Sequence, residues 1–259
     1  MMDNYEKFKK DVYALTGIDL DAYKEKQMRR RIETLIGKNK IKTYDEYVAL
    51  IKTNKEKFEE FVNYLTINVS EFYRNPDQWD YMDKEIIPDL ISKFGKNLKI
   101  WSAACSTGDE PYSLVMALSR HLPLNQIKIY ATDIDKQVMA QAQVGLYNEK
   151  SLVGVPADLK AKYFKKVGAS YQISDEIKSR VEFKQGNLLL DNYPSNYDFI
   201  VCRNVLIYFT DEAKTDVYSK FAKSLKPGGI LFIGSTEQII GYKELGYKRR
   251  SSFFFEKEA

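Results

Sequence analysis

Only one of the 259 residues is histidine, His121, and only two are cysteine, Cys105 and Cys202. A lone histidine excludes most zinc sites and the Ser-His and Cys-His nucleophile pairs. Two cysteines without CxxC spacing leave no disulfide framework, which fits a reducing cytoplasm. No stretch approaches the roughly 20 apolar residues that span a bilayer. The start, Met1-Met2-Asp3-Asn4-Tyr5-Glu6-Lys7, carries no apolar segment of an export signal. A soluble cytoplasmic protein is therefore expected. GxGxxG and GxxxxGK(S/T) are both missing, which argues against NAD and against ATP or GTP chemistry. Neither charge dominates: 40 basic against 36 acidic side chains give +4, so any basic docking surface must be local. What is present is 44% hydrophobic and 14% aromatic residues, enough for a packed core and too many for a disordered chain. The length suits one large domain plus a small one.

The pattern changes near residue 85. Before it the periodicity is helical, with no proline ahead of Pro76. Tyr5, Phe8, Val12 and Leu15 repeat at three-to-four spacing, and Gly17 ends that helix. A second helix is expected from an Asp21 cap through Met28, Ile32 and Leu35 to Gly37. Thr43 followed by Glu46 is a capping-box pattern for a third. Phe58, Phe61, Val62 and Leu65 form the stripe of a fourth. After residue 85 short apolar runs alternate with helical stretches. Strands are expected at 98–103, 127–133, 181–187, 197–204, 229–234 and 248–257, with helices at 112–121 and 211–225 and a turn at Pro227-Gly228-Gly229. This order predicts an α/β fold, a doubly wound, mostly parallel sheet covered on both faces. The reading is an N-terminal all-α domain with its linker at 1–84 and the sheet domain at 85–259. Residues 145–180 break the rhythm and read as an inserted small β-hairpin subdomain.

Ligands of such sheets sit beyond the carboxyl ends of the strands. The first strand ends in Ala104-Cys105-Ser106-Thr107-Gly108-Asp109-Glu110, a small-residue turn into a helix that admits close backbone approach. The second ends in Asp133, whose two oxygens can accept both hydroxyls of a ribose. Asn187 and Asn204 end later strands and can hydrogen-bond an adenine edge or a charged amino-acid moiety. Taken singly, such residues are more often caps or turn formers. Their ordered set, with Leu225-Lys226-Pro227-Gly228-Gly229 before an apolar strand, indicates a Rossmann-like, class I S-adenosylmethionine (SAM)-dependent methyltransferase.

Four longer segments sharpen this: Asn68-Val69-Ser70-Glu71-Phe72-Tyr73-Arg74, Ala104-Cys105-Ser106-Thr107-Gly108-Asp109-Glu110-Pro111-Tyr112-Ser113, Ala131-Thr132-Asp133-Ile134-Asp135 and Cys202-Arg203-Asn204-Val205-Leu206-Ile207-Tyr208-Phe209. In sequence and order they resemble the CheR family, the chemotaxis-receptor glutamate O-methyltransferases, over nearly the whole chain. The resemblance implies a SAM site, with S-adenosylhomocysteine as product and no metal. It implies that Asn68, Ser70 and Arg74 come from the joining segment. Glu110 would hold the amino group, Asp133 the ribose, and Asn187, Leu188, Arg203 and Asn204 would complete the pocket. Ser70 stands where many members have Thr, keeping the hydroxyl, and Asp109 where Glu is common. Arg74 and Tyr208 are the candidates for orienting the substrate carboxylate; Tyr73 and Tyr208 read by themselves as packing residues.

Residues 24–40 hold seven basic side chains against two acidic. Lys26, Arg29, Arg30 and Arg31 cluster on one helix, with Lys26 sharing a face with Arg29 and with Arg30. By charge alone this is a solvated face. The family's substrates are glutamate-rich helical receptor regions, so the resemblance implies docking. The partner expected is the cytoplasmic helical region of a chemotaxis receptor, with no nucleic acid and no membrane insertion, and the enzyme is expected to be a monomer. Lys166-Val167-Gly168-Ala169-Ser170 in the insertion has one glycine, unlike the glycine-rich loop with which some members dock a receptor C-terminal peptide. Direct receptor recognition is therefore expected. Two other readings compete. A nucleic-acid methyltransferase would want a proline-containing loop after the fourth strand or a Pro-Cys nucleophile, and Asn204-Val205-Leu206-Ile207 and Val201-Cys202 supply neither. A SAM-sensing module without catalysis would carry the same pocket.

Overall fold

The computed structural model describes residues 4–68 and 70–259. Val69 of the Asn68–Arg74 motif and Met1-Met2-Asp3 lie outside the described residues. The chain divides into two compact units, residues 1–68 with 206–214, and 69–205 with 215–259.

In the first unit four helices follow the apolar periodicity: α1 Tyr5–Thr16, α2 Glu25–Lys38, α3 Tyr44–Thr53 and α4 Lys55–Thr66. Three begin on side-chain caps, with Asn4, Thr43 and Asn54 accepting the backbone N–H groups of Lys7, Glu46 and Lys57. Gly17 closes α1 in the left-handed conformation, φ +71°. The second helix starts later than expected. Asp21 sits in a short 3₁₀ turn, Leu20–Ala22, and Lys24 precedes α2 without a side-chain cap. Asp19 instead caps that turn through the Asp21 N–H. Phe8, Val12, Ile32, Ile36, Tyr47 and Phe61 are buried at the centre, with Phe8 against Tyr44 and Tyr47 against Phe61 at ring separations of 4.6 and 5.5 Å. Residues 206–214 complete this unit. Phe209 bridges to Tyr23, and Lys24 and Thr210 exchange backbone bonds with Tyr208 and Ala22 at 2.9 Å.

The second unit opens with a continuous helical run, α5 Pro76–Tyr81, a π turn Met82–Ile86 and α6 Ile87–Phe94. Residue 85, where the sequence pattern changes, falls inside that run, whose Trp79, Met82, Ile86, Ile87 and Leu90 join the core under the sheet. Strands β1 Ile100–Ala103 and β2 Ile129–Asp133 flank helix α7 Asp109–Leu118, and α8 Lys136–Val144 follows β2. The insertion holds β3 Leu146–Asn148, α9 Ala157–Tyr163, β4 Phe164–Val167, β5 Ser170–Ile173 and α10 Asp175–Lys178. Then come β6 Val181–Gln185, β7 Tyr197–Cys202, α11 Asp211–Ser224, β8 Leu225–Ile233, β9 Tyr247–Arg249 and β10 Phe254–Lys257.

The main sheet runs β6-β2-β1-β7-β8-β10-β9. Its first five strands are parallel, and β10 and β9 are antiparallel to their neighbours. The central β1 and β7 are buried at every residue, as parallel strands with both faces covered must be. The single terminal strand expected at 248–257 is two, because Ser251–Phe253 turn the chain back on itself. The turn expected at 227–229 is a bulge inside β8: Tyr197 pairs with Leu225 but Phe199 with Ile230. The insertion is a three-stranded antiparallel sheet, β3-β5-β4, one strand more than the expected hairpin. Among the described residues no helix is long and apolar enough to cross a membrane.

Candidate active site

The second unit's site is built at the carboxyl ends of β1, β2 and β7. Leaving β1, the chain takes three left-handed residues in five, Ala104, Ser106 and Gly108, with φ of +65°, +48° and +87°. This tight path turns backbone N–H groups inward and starts α7. At Gly108 a Cβ would lie 2.8 Å from the Ala142 Cβ and 3.2 Å from the Tyr147 hydroxyl, so no other residue fits there unstrained.

Asp133, at the end of β2, locks this turn. Its Oδ2 accepts the Ser106 N–H at 2.8 Å and its Oδ1 the Asp135 N–H at 2.9 Å. Burial pushes its carboxyl up to about 6. Asp109 is likewise raised to about 6 by burial and accepts the Thr107 hydroxyl at 2.6 Å. The next residue, Glu110, accepts the Ser102 hydroxyl at 2.9 Å and faces Arg203 at 3.7 Å. Desolvation raises it to about 7, opposed by the positive charges of Arg203 and Arg74.

Arg203, at the exit of β7, is almost fully buried. One nitrogen, Nη2, donates to the Arg74 carbonyl at 2.7 Å, to Gln78 Oε1 at 3.0 Å and to Asn75 Oδ1 at 3.2 Å. Its plane lies over the Phe232 ring, 4.6 Å from the centroid, and its Nε is buried with no hydrogen-bond partner among the described residues. Arg203 is thus a clamp on the start of α5 as well as a charge beside Glu110. The Arg74 carbonyl also accepts the Trp79 indole N–H at 3.0 Å. With Tyr73 and Asn75 both left-handed, this fixes the backbone from which the half-exposed Arg74 side chain departs, 3.8 Å from Glu71.

Asn187 follows β6 in an Asx turn: its Oδ1 accepts the Leu189 N–H, and its own N–H goes to Asp191. Asn187 and Leu188 line a cavity of about 340 Å³ with Trp101, Tyr130 and Tyr193. Asn204 takes a left-handed conformation, φ +61°, and Ser70 is half-buried. Asn68 and Tyr208 belong to the first unit. There Asn68 donates to the Thr66 hydroxyl at 2.8 Å and the Tyr208 carbonyl accepts the Lys24 N–H. The four basic residues of α2 divide. Lys26 and Arg30 are exposed. Arg29 pairs with Glu33 at 3.0 Å and covers Tyr5, while Arg31 donates to the Tyr64 carbonyl and lies over its ring.

Three contributors escaped the sequence reading. Glu237 accepts backbone N–H groups beside Asn204. Tyr147, from the insertion, donates to the Thr107 carbonyl at 2.7 Å. Phe72 is wedged edge-on between Tyr147 and Phe164, its N–H bonded to the Ser151 carbonyl. Glu237 carried a signal, an acid just past an apolar strand as Asp133 is; Phe72 lay within the Asn68–Arg74 motif with no role read for it, and Tyr147 carried none.

The CheR methyltransferase all-alpha domain model matches residues 3–66, and the CheR methyltransferase SAM binding domain model matches residues 68–253. The chain belongs to the CheR methyltransferase family. It is a SAM-dependent methyltransferase. A "Chemotaxis protein methyltransferase" of Listeria innocua is 41% identical over 93% of this chain and 92% of that one. "Chemotaxis protein methyltransferase 1" of Pseudomonas aeruginosa is 34% identical over 91% and 90%. The relative of the same kind from Borreliella burgdorferi is 32% identical over 95% and 91%.

The residues in place fit SAM. Asp133 accepts backbone N–H groups on both oxygens, and a carboxylate has about four lone-pair sites, which leaves room for a hydroxyl. Glu110 is a desolvated carboxyl whose nearest cationic group stands 3.7 Å away, suited to a further positive group.

Proposed function

We propose that this enzyme transfers a methyl group from SAM to glutamate side-chain carboxylates in the cytoplasmic helical region of chemotaxis receptors, forming methyl esters and S-adenosylhomocysteine. The observation that carries the reading is the pairing of half-buried Glu110 with Arg203 two residues beyond the Gly108 cradle, in a chain whose relatives are named for chemotaxis. When bound, SAM supplies a methyl carbon made electrophilic by an adjacent sulfonium.

In this reading Asp133 holds the ribose hydroxyls, Glu110 the amino group, and Asn187, Leu188 and Asn204 the rest of the nucleoside, with Ser70 contributing from the joining segment. Arg74 orients the incoming carboxylate. A glutamate with an ordinary pKa of about 4.3 is ionised at neutral pH, so no general base is needed. Alignment and exclusion of water then supply the rate, up to about 7–11 kcal/mol in the best oriented systems. A tight ion pair on the attacking oxygen would stabilise the ground state instead, so Arg74 serves best as a guide at the rim.

Both thiols favour this reading over a cysteine nucleophile. Burial pushes Cys105 and Cys202 well above the usual thiol range, leaving them neutral and inert. Lys26 and Arg30 are the docking charges that remain open on α2.

The test is transfer of labelled methyl from SAM to a receptor cytoplasmic fragment, followed by alkali. An ester releases labelled methanol. Label that survives alkali marks nitrogen methylation, and SAM binding without transfer marks a sensing module.

A further inference from the structure

We propose that Glu237 is a positioning residue of the methyl-donor site, holding the Asn204–Val205 turn in the shape that the donor requires. The inference rests on the assignment of Asn204 to that site. β7 and β8 are parallel neighbours, and beyond their carboxyl ends the two chains separate, leaving N–H groups without a ladder partner. One carboxylate collects them. Glu237 Oε2 accepts the N–H of Asn204 at 2.9 Å and that of Gly234 at 2.7 Å, while Oε1 accepts the N–H of Val205 at 3.1 Å. The residue is only 5% exposed.

The turn needs this support. Asn204 is left-handed at φ +61°, a conformation that asparagine tolerates better than most side chains but that its surroundings must still hold. Hydrogen bonds to a carboxylate are roughly twice as strong as neutral ones, and at least three converge here. The fit is close on the other side as well. A Cβ on Gly234 would stand 2.8 Å from the Asn204 N, the Asn204 Nδ2 and the Glu237 Oε2. Glu237, Gly234 and Asn204 therefore form one interlocked corner. With both oxygens turned to backbone amides, Glu237 acts through Asn204 and not on the reacting atoms.

Glutamine in its place must turn an NH₂ toward N–H donors and give up at least one of the three bonds. Aspartate keeps the charge on a stem one carbon shorter.

The experiment measures S-adenosylhomocysteine binding by calorimetry and steady-state kinetics on the full chain. Glu237→Gln is expected to raise Kd and the KM for SAM by about tenfold, with kcat at saturation within about threefold. Glu237→Asp is expected to recover part of the loss, and Gly234→Ala to reproduce it from the other side of the corner should Glu237→Gln fold poorly. Tyr247→Phe, which removes a buried hydroxyl bonded to the Tyr218 carbonyl, is the control for stability alone and should leave Kd unchanged. Wild-type Kd in folded Glu237→Gln or Gly234→Ala, a loss confined to kcat, or equal weakening by Tyr247→Phe overturns the proposal. Asn204→Ala separates the two levels: unchanged binding there sinks the Asn204 assignment and the proposal with it. Weak binding there with normal Glu237→Gln sinks the proposal alone.

Discussion

Ser106 gives its backbone N–H to Asp133 at 2.8 Å, so the acid at the end of the second strand holds the turn that leaves the first. This structural role and the proposed ribose contact thus fall on one carboxylate. Asp133→Asn must present an NH₂ to Ser106 or to Asp135. The expected cost is about 1–3 kcal/mol of stability, read by denaturant titration, together with loss of S-adenosylhomocysteine binding. Retained affinity in the folded variant would separate Asp133 from the ribose.

Glu110 is expected to make donor binding pH-dependent. Its carboxyl is raised by burial to about 7 and Asp133 to about 6, from ordinary values of 4.5 and 3.8. A carboxyl raised on folding keeps its proton while the unfolded chain has lost it. Its stabilising contribution is therefore full below the unfolded value and fades as pH rises toward the folded one. A positive ligand group favours the ionised form, so affinity should climb between pH 5.5 and 7.5, by at most about tenfold per unit per group. Calorimetry in buffers of different ionisation heat should show a proton released near pH 6.5. Glu110→Gln should bind weakly and abolish most of that release.

Tyr147 ties the insertion to the donor loop through the Thr107 carbonyl. Tyr147→Phe removes one buried hydrogen bond at a cost of about 1–2 kcal/mol. Because Thr107 adjoins the Gly108 cradle, KM for SAM should rise severalfold. A melting temperature that falls without any change in KM would make the contact purely structural.

On α2 the charges should not be equivalent. Reversal at Lys26 or Arg30 is expected to raise KM for a receptor fragment about fivefold each and to flatten its dependence on salt, leaving S-adenosylhomocysteine affinity alone. Arg29→Ala, which loses Glu33 and the Tyr5 ring, should instead lower the melting temperature. Equal KM effects at all three positions would contradict this division.

Tyr208→Phe tests the chemistry. A fall in kcat of about tenfold or more with unchanged donor affinity would place its hydroxyl at the substrate carboxylate. Unchanged turnover would leave it a packing residue.

The candidate site could be proposed from the sequence because strand ends are legible. Apolar runs closing in Asp133, Asn187 and Arg203-Asn204 marked the carboxyl edge of a parallel sheet, and the run of small residues at 104–108 marked the close turn. The change of pattern near residue 85 was legible too, but it is not a division in space. The helical run at 76–94 presents Trp79, Met82 and Ile86 to the core under the sheet, and periodicity cannot say which core a helix joins. For the same reason nothing in 206–214 announced membership of the helical unit.

The sequence by itself determined most of the elements, their order and the parallel sheet, and it nominated the residues of the donor site, because local periodicity and turn chemistry act within a few residues of chain. Only the tertiary structure decided which partners those residues meet. It turned Arg203 inward onto Arg74 and Gln78, set Glu237 under Asn204 and brought Tyr147 from the insertion to Thr107. Each of these contacts joins segments 33 to 129 residues apart, and only the packing of strands and core brings such distant groups within hydrogen-bonding range.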